Sequence, residues 1–245
     1  MTRSVDCRET DVLDYCPSLI TVVHATKELH LAHFSVKEYL LGVSHFNIAT
    51  ANISITTTYL IYLTHLSGNN QEIRQDFPMA RRAAELWTEH AALVQTSEDI
   101  SRMIVGFLES EVTFQRWGCL YQADMGWLDD PGPPRGSKLY YACLAGLVVP
   151  ARDFIEMGAD INDQGGYHGN ALQAASAGGH QEVVQLLLDK GADINAHNDV
   201  HGNALQAAAY GGHREVMQLL LDKGADFHDH CDLGFQAQRI IEAAE

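Results

Sequence analysis

The feature that most constrains how this chain can fold is an internal repeat of 33 residues. The pentapeptide GADIN begins at Gly158 and again at Gly191, and GADF begins 33 residues later at Gly224. Residues 169–195 and 202–228 align without a gap and differ at only six of 27 positions. A regular period of this length is typical of stacked copies of one small structural unit, each of which buries its apolar face against its neighbours.

The sequence pattern of each copy predicts two short helices joined by a turn. Asn170 and Asn203 can cap the alanine-rich first helix, because asparagine side-chain oxygens accept hydrogen bonds from the free amides of a first turn. A Gly-Gly pair follows, and glycine readily adopts the left-handed conformation at a helix end. The second helix carries an apolar stripe of valine and leucine and ends at Gly191. A divergent earlier copy occupies residues 136–162, which gives about three copies.

The sequence GNALQAASAGGHQEVVQLLLDKGADINA, which begins at residue 169, resembles an ankyrin repeat throughout, and 33 residues is the ankyrin period. The usual Thr-Pro-Leu-His of that family is Asn-Ala-Leu-Gln in this chain. Gln173 and Gln206 therefore replace a histidine that ties neighbouring repeats together, and the usual form of that hydrogen-bond network is not expected. The resemblance implies a mainly α fold that contains a short ankyrin-repeat solenoid, and a concave surface that binds a protein partner.

The first half of the chain lacks the repeat and predicts a different arrangement. Residues 19–23 and 28–34 have the composition of two short strands around a turn. Ser35 and Glu38 form a capping box at the start of a helix, and residues 9–15 predict another helix before the strands. The order helix, strand, turn, strand, helix is typical of a winged-helix domain.

Three further segments lie between this region and the repeats. Residues 50–66 are ambiguous, because their β-branched residues favour a strand whereas the length of the run favours a helix. Residues 78–95 and 98–110 predict helices. The apolar face of the first of these two helices is predicted to contain Ala83, Leu86, Trp87, His90 and Leu93.

The segments HFSVKEYL at 33–40, YLIYL at 59–63 and FPMARRAAELWTEHA at 77–91 also resemble a known arrangement. It is the region that follows the NACHT module in fungal STAND-type proteins, which are relatives of NOD-like receptors. There a winged-helix domain of the GPI inositol-deacylase type and a helical stretch lead into ankyrin repeats. The resemblance implies a winged-helix domain over residues 1–48, a helical connector over 49–126, a Pro/Gly-rich linker over 127–137, ankyrin repeats over 138–234 and a capping helix or tail over 235–245.

A NACHT ATPase requires a P-loop, whose Gly-Lys pair helps to hold the nucleotide phosphates. No Gly-Lys dipeptide occurs in this sequence. The ATPase domain expected in relatives is therefore absent here, and the resemblance carries over no nucleotide chemistry. It extends only to the regulatory and sensing portion of such a receptor.

The composition excludes several classes of function. Acidic residues outnumber basic residues by 32 to 16, and a net charge of −16 disfavours binding to nucleic acid or to an anionic membrane. No apolar run reaches the roughly 20 residues that span a bilayer. Five scattered cysteines favour reduced thiols, and hence a cytoplasmic or nuclear location. Motifs for a serine nucleophile, a zinc protease or a calcium loop do not occur. The sequence predicts neither an enzyme nor a cofactor.

The positive prediction is a protein-binding surface on the repeats. The candidates for partner contact are Tyr167, His168, Val200, His201 and Tyr210, which lie in the hairpin tips and at a helix end where otherwise near-identical copies differ. Neutral drift at exposed positions would explain the same differences equally well. Residues 138–245 contain 6 basic and 15 acidic residues, which favours a partner with a basic patch.

Two alternatives remain open. One is a degenerate regulatory fragment that has no recognition role of its own. The other is a metal-binding protein that uses the cluster of His228, His230 and Cys231, since three nitrogen and sulfur ligands lie close together there. No paired ligand set accompanies this cluster, and an exposed polar loop is the simpler interpretation. His30 and His33 point to opposite faces of a strand and are poor joint ligands.

Overall fold

The computed structural model describes residues 48–198 and 202–226, together with the backbone of two short segments, 20–23 and 28–31. Within these residues the chain forms eleven α-helices and two strands, so the expected mainly helical fold is confirmed. The chain divides into two compact units, Met1–Ala51 and Asn52–Glu245.

The two strands lie where the sequence predicts them. Strand β1 (Ile20–Val23) pairs antiparallel with β2 (Glu28–Leu31), and Ile20 lies opposite Leu31 in this register. The predicted helices over residues 9–15 and after Ser35 lie outside the described residues. A winged-helix domain in this region therefore stays a prediction.

Helix α1 (Ile48–Thr64) covers the segment for which the sequence left strand and helix open. Two of its threonines use their hydroxyl groups within the helix: Thr58 Oγ1 donates to Ser54 O at 2.7 Å, and Thr64 Oγ1 donates to Leu60 O at 2.7 Å. This bonding to the preceding turn makes threonine compatible with a helix. Leu60 and Leu63 are buried, and tertiary packing outweighs the β propensity of the segment.

Four helical elements follow in order, and a short 3-10 turn ends the series. They are α2 (Asn70–Asp76), α3 (Ala80–Ala92), α4 (Glu98–Glu109), α5 (Glu111–Leu120) and the 3-10 turn Ala123–Met125. Helices α3 and α4 confirm the helices predicted over 78–95 and 98–110.

The prediction of the apolar face of α3 is wrong for one residue, Leu93. Leu93 is 69% exposed, because the helix ends at Ala92 and the leucine side chain lies outside the packed face. Ala83 and Trp87 are fully buried as predicted, whereas Leu86 and His90 are only half-buried. Ala91, which is also fully buried, extends the packed face instead.

Aromatic residues from four helices form the centre of the core before the repeats. Trp87 and Trp117 meet edge to face with ring centroids 5.7 Å apart, a favourable geometry for aromatic pairs. Trp117 Nε1 donates a hydrogen bond of 2.9 Å to Ala84 O, which satisfies its buried polar atom. Trp117 also packs edge to face on Tyr141, at 5.2 Å between centroids. Because Tyr141 belongs to the first repeat, this core continues into the repeat array.

The repeats form three helix pairs, as the period predicts. They are α6 (Lys138–Leu144) with α7 (Val148–Glu156), α8 (Ala171–Ala177) with α9 (Gln181–Asp189), and α10 (Ala204–Gly211) with α11 (Arg214–Asp222). The first helices α6, α8 and α10 pack in one row, and the second helices α7, α9 and α11 pack in another. The side chains of Ser137, Asn170 and Asn203 cap the three first helices, as predicted for the two asparagines.

Polar side chains tie neighbouring repeats together. Gln173 Nε2 donates to Ala196 O at 3.0 Å and to Gly202 O at 2.6 Å, both in the following hairpin. Glutamine thus supplies an inter-repeat network in place of the usual histidine. His180 Nε2 donates to Leu144 O at 2.9 Å, and the equivalent His213 makes the same bond to the preceding repeat.

Helix α4 packs on α7 and covers the first repeat. Gln95, in the loop before α4, donates from Nε2 to Gly146 O at 3.0 Å and accepts from Val149 N at 3.2 Å. The side chain therefore satisfies backbone groups at the turn between α6 and α7. The helices before the repeats serve as a cap for the exposed side of the first copy.

Candidate partner-binding surface

The hairpin between α7 and α8 carries two of the predicted contact residues, Tyr167 and His168. Tyr167 N donates to Asp124 Oδ2 at 2.8 Å, and His168 N donates to Tyr140 Oη at 3.1 Å. The Tyr140 hydroxyl in turn donates to Asp124 Oδ2 at 2.7 Å. Gly166, which has a φ of +73°, packs on the Tyr140 ring where a side chain would clash. Hydrogen bonds from the backbone amides of the hairpin tip to Asp124 and Tyr140 thus hold the tip in place.

The anchor of this hairpin is a buried carboxylate. Asp124 belongs to the 3-10 turn that precedes the repeats and is only 4% exposed. Burial, together with the negative charge of Asp124, raises the pKa of Tyr140 far above its ordinary value. Tyr140 therefore stays neutral and keeps its proton for the bond to Asp124. The sequence alone does not indicate either residue, because no local pattern predicts a contact between residues 16 positions apart.

The proline-rich segment 127–137 is bonded along its length rather than loosely connected. Gln122 Nε2 donates to Gly132 O at 2.9 Å and to Pro133 O at 3.0 Å, and Gln122 Oε1 accepts from the Tyr141 hydroxyl at 3.1 Å. Gly166 N donates to Arg135 O at 3.0 Å, which joins the segment to the first hairpin. The segment holds a fixed position beside the hairpin tip.

The second hairpin lies next to the first. Asn198 Nδ2 donates a short hydrogen bond to His168 O, and a β-bridge joins Asn198 to Gly202. The predicted contact residues Val200 and His201 lie outside the described residues. Tyr210 lies in the last turn of α10 and is 64% exposed.

The structure brings together Tyr167 and His168 but not Tyr210. The two ring centroids of Tyr167 and His168 are 5.5 Å apart. Tyr210 follows the capping residue Asn203 by seven positions, which places it about 10 Å further along the helix axis from the hairpin. The described candidates therefore form a pair at one hairpin tip and a separate residue at the far end of a first helix.

Trp127 is a surface residue that the sequence analysis missed. Its side chain is 65% exposed, and its ring meets that of Tyr167 edge to face at 5.3 Å between centroids. A tryptophan in a polar, proline-rich segment directly before the repeats is the signal that could have identified it. Trp127, Tyr167 and His168 form a continuous row of rings, which we call the aromatic row.

Residues 132–231 match the family model described as ankyrin repeats, in three copies. The 33-residue units are ankyrin repeats. The expected ankyrin resemblance is therefore confirmed for this part of the chain, and the aromatic row lies on the hairpin side of the first ankyrin repeat. The comparisons do not extend this result to a NACHT receptor or to a winged-helix domain.

A relative from Monascus ruber, named "Azaphilone pigments biosynthesis cluster protein L", is 37% identical over 207 residues. The alignment covers 69% of this chain and 43% of the relative, so the chain spans less than half of the relative's length. Because the ankyrin match starts at residue 132, an alignment of this extent also includes residues that precede the repeats. The similarity is therefore not confined to the ankyrin array.

The other predicted ligand-binding features fall largely outside the described part of the ankyrin array. His228, His230 and Cys231 lie outside the described residues. Among the residues that the structure describes, no group of three His, Cys, Asp or Glu side chains is arranged to hold a metal ion. In the same residues, every helix is too short or too polar to cross a bilayer.

Proposed function

We propose that this chain is a non-catalytic protein–protein interaction module whose binding surface lies on the hairpin side of the ankyrin array. The observation that carries this proposal is the contrast between scaffold and tip. Most packed residues of the second and third repeats are the same, whereas the hairpin tip Gly166-Tyr167-His168 corresponds to Asp199-Val200-His201 one period later. A constant framework with variable exposed loops is the usual arrangement of a binding protein built from repeats.

The rigidity of the first hairpin supports this function. Its two tip amides are bonded to Asp124 and Tyr140, and its carbonyl at His168 is bonded to Asn198. A surface that is already ordered loses little conformational entropy when a partner binds. Aromatic side chains on such a surface add contact area at low entropic cost.

The charge of the array favours a basic partner. Residues 138–245 carry 15 acidic and 6 basic side chains, and two of these basic groups form ion pairs within the described residues. Lys138 pairs with Glu111 at 3.5 Å, and Lys223 pairs with Asp189 at 3.4 Å. The remaining excess of carboxylates attracts a partner that presents a basic patch and repels an acidic one.

We further propose that this module corresponds to the regulatory and sensing portion of a NACHT-ankyrin receptor. In this arrangement residues 1–48 form the winged-helix domain, 49–126 the helical connector, 127–137 the joining segment, 138–234 the repeats and 235–245 a capping helix or tail. The name of the Monascus ruber relative gives a gene cluster and no activity, so it adds no function to the proposal. Burial raises the pKa of the Cys143 thiol, which makes this cysteine unreactive.

A selection for binders tests the proposed function. The full chain is immobilised and screened against a random-peptide display library, and the affinity of each selected peptide is measured by calorimetry. We expect saturable binders that lose at least about tenfold in affinity when Tyr167 and His168 are both replaced by alanine. The matched control is Gln218→Ala, on the surface of α11 away from the hairpins, which should leave affinity unchanged.

One result would count against an interaction module, and a second would count against the hairpin side as its binding surface. Recovery of no saturable binder in repeated selections would favour the degenerate regulatory fragment. Binders that respond equally to the hairpin variant and to Gln218→Ala would place recognition elsewhere on the molecule. Zinc bound at one equivalent per purified chain would instead support the alternative in which His228, His230 and Cys231 hold a metal.

A further inference from the structure

We infer that Trp127, from the segment before the first repeat, completes the partner-binding surface together with Tyr167, and that the aromatic row receives an arginine or lysine side chain of the partner. The inference rests on the proposed function and specifies its site and its ligand chemistry. It adds to the ankyrin array a contact residue that lies outside the repeated units.

Trp127 is unusually exposed for a tryptophan. The other two tryptophans, Trp87 and Trp117, are buried in the core, as expected for the largest apolar side chain. Trp127 instead exposes 65% of its surface beside Tyr167, which is itself half-buried. Tryptophan and tyrosine are the residues most enriched at the centres of binding interfaces, because they bury a large area with few rotatable bonds.

Hydrogen bonds of the neighbouring residues hold Trp127 in place. Leu128 N donates to Met125 O at 2.9 Å, which closes a turn around the tryptophan. On the other side, Arg81 donates from Nη1 to Asp129 Oδ1 at 2.9 Å and from Nη2 to Leu128 O at 3.4 Å. The indole is therefore presented by a backbone fixed on both sides, and binding does not require the segment to become ordered.

A buried carboxylate, that of Asp124, lies next to the aromatic row. The Asp124 carboxylate lies against the backbone of Tyr167, and its Oδ1 atom is buried without a hydrogen-bond partner in the structure. Among the described residues, Asp124 forms no ion pair, so its charge is not neutralised by a cation of the chain itself. A partner cation on the aromatic row would be attracted by this carboxylate and by the faces of the rings.

Two arginines that contact the segment after Trp127 are engaged with other groups. Arg81 pairs with Asp129, and Arg74 pairs with Asp130 at 3.0 Å, so both guanidinium groups are directed to the acidic residues that follow Trp127. The described cation–π contact of the chain, that of Lys138 with Phe114 at 5.9 Å, uses another ring. A cation of the partner is thus the group that the charge of this surface favours.

The test uses the full chain and two fluorescent peptides, oligo-arginine and the uncharged isostere oligo-citrulline. Anisotropy titrations are made with the native sequence, Trp127→Ala, Trp127→Phe and the control Leu93→Ala, which removes an equally exposed apolar residue elsewhere. We expect oligo-arginine to lose at least about tenfold in affinity with Trp127→Ala, to lose less with Trp127→Phe and to be unaffected by Leu93→Ala. Oligo-citrulline should not bind.

Equal affinity of oligo-arginine for the native chain and Trp127→Ala would overturn the inference, because general attraction to an acidic surface would then explain the binding. Tight binding of oligo-citrulline would overturn the choice of a cation. Peptides from the display selection separate this failure from failure of the proposed function. Selected peptides that bind through the hairpin but ignore Trp127→Ala leave an interaction module in place and remove only the aromatic row.

Discussion

Replacement of Leu187 by alanine, compared with the same change at Leu188, tests the register of the repeats directly. The two leucines are adjacent in α9 and chemically identical, yet Leu187 is fully buried and Leu188 is only half-buried. Helix α9 lies between α7 and α11, so a space left by Leu187 has packed helices on both sides. These neighbours can close such a cavity only in part.

The expected cost of Leu187→Ala is about 3–5 kcal/mol in the free energy of unfolding, in the upper part of the range for buried leucines. Leu188→Ala should cost less, about 1 kcal/mol, because Leu188 is only partly buried at the edge of the core and leaves part of its side chain in water. For a chain of this size, each kcal/mol shifts the melting temperature by about 2–4 °C. Leu187→Ala should therefore lower it by roughly 6–20 °C, several times the shift caused by Leu188→Ala.

The assay is urea denaturation and thermal melting followed by far-UV circular dichroism. The pair Leu220→Ala and Leu221→Ala, one period later in α11, should show the same difference between buried and half-buried positions. Equal shifts for the two members of either pair would refute the assigned helical faces. A broadened or two-step melting curve for Leu187→Ala alone would show that the repeats on either side of α9 had lost their coupling.

Three further predictions concern the bonds that hold the array. Gln173→Ala removes one donor from each of two backbone carbonyls of the next hairpin, Ala196 O and Gly202 O, of which Gly202 O keeps its bond from Asn198 N. It should cost about 1–3 kcal/mol by urea denaturation, whereas Gln185→Ala on the exposed side of α9 should cost almost nothing. Burial lowers the pKa of His180, so stability should fall as the pH drops below about 6.5, where the unfolded histidine binds a proton more readily than the folded one. His180→Gln should weaken that dependence in urea midpoints. Burial raises the pKa of Tyr140, so stability should also fall above about pH 10, where the unfolded tyrosine ionises first, and Tyr140→Phe should flatten this decline.

Much of the array could be predicted because its determinants are local. Asn170 and Asn203 cap helices through bonds that reach three residues, and such contacts follow from sequence alone. The period then places equivalent residues in equivalent environments, and the fully buried pair Leu187 and Leu220 follows from the apolar stripe. Repetition supplies the long-range order that a single sequence otherwise conceals.

The contacts that complete the candidate surface could not be predicted, because they join residues far apart in the chain. Nothing local indicates that the side chain of Asp124 accepts a bond from an amide 43 residues later, or that Gln173 reaches two carbonyls of the next hairpin. The predicted burial of Leu93 is also wrong. Its apolar character suggests burial, whereas its position just after the end of α3 leaves its side chain in water. Exposure at helix ends and in loops depends on tertiary contacts that amphipathic periodicity does not encode.

The same long-range contacts join the ankyrin array and the helices before it into one structural unit. An array of so few repeats cannot cover its own ends, and α4 with Gln95 covers the first of them. Asp124 fixes the tip of the first hairpin, and the adjoining segment supplies Trp127 beside Tyr167. Removal of the residues before the repeats would therefore expose part of the core and release the hairpin at the same time. Binding of a partner at this hairpin would therefore depend on the position of the segment that precedes the repeats.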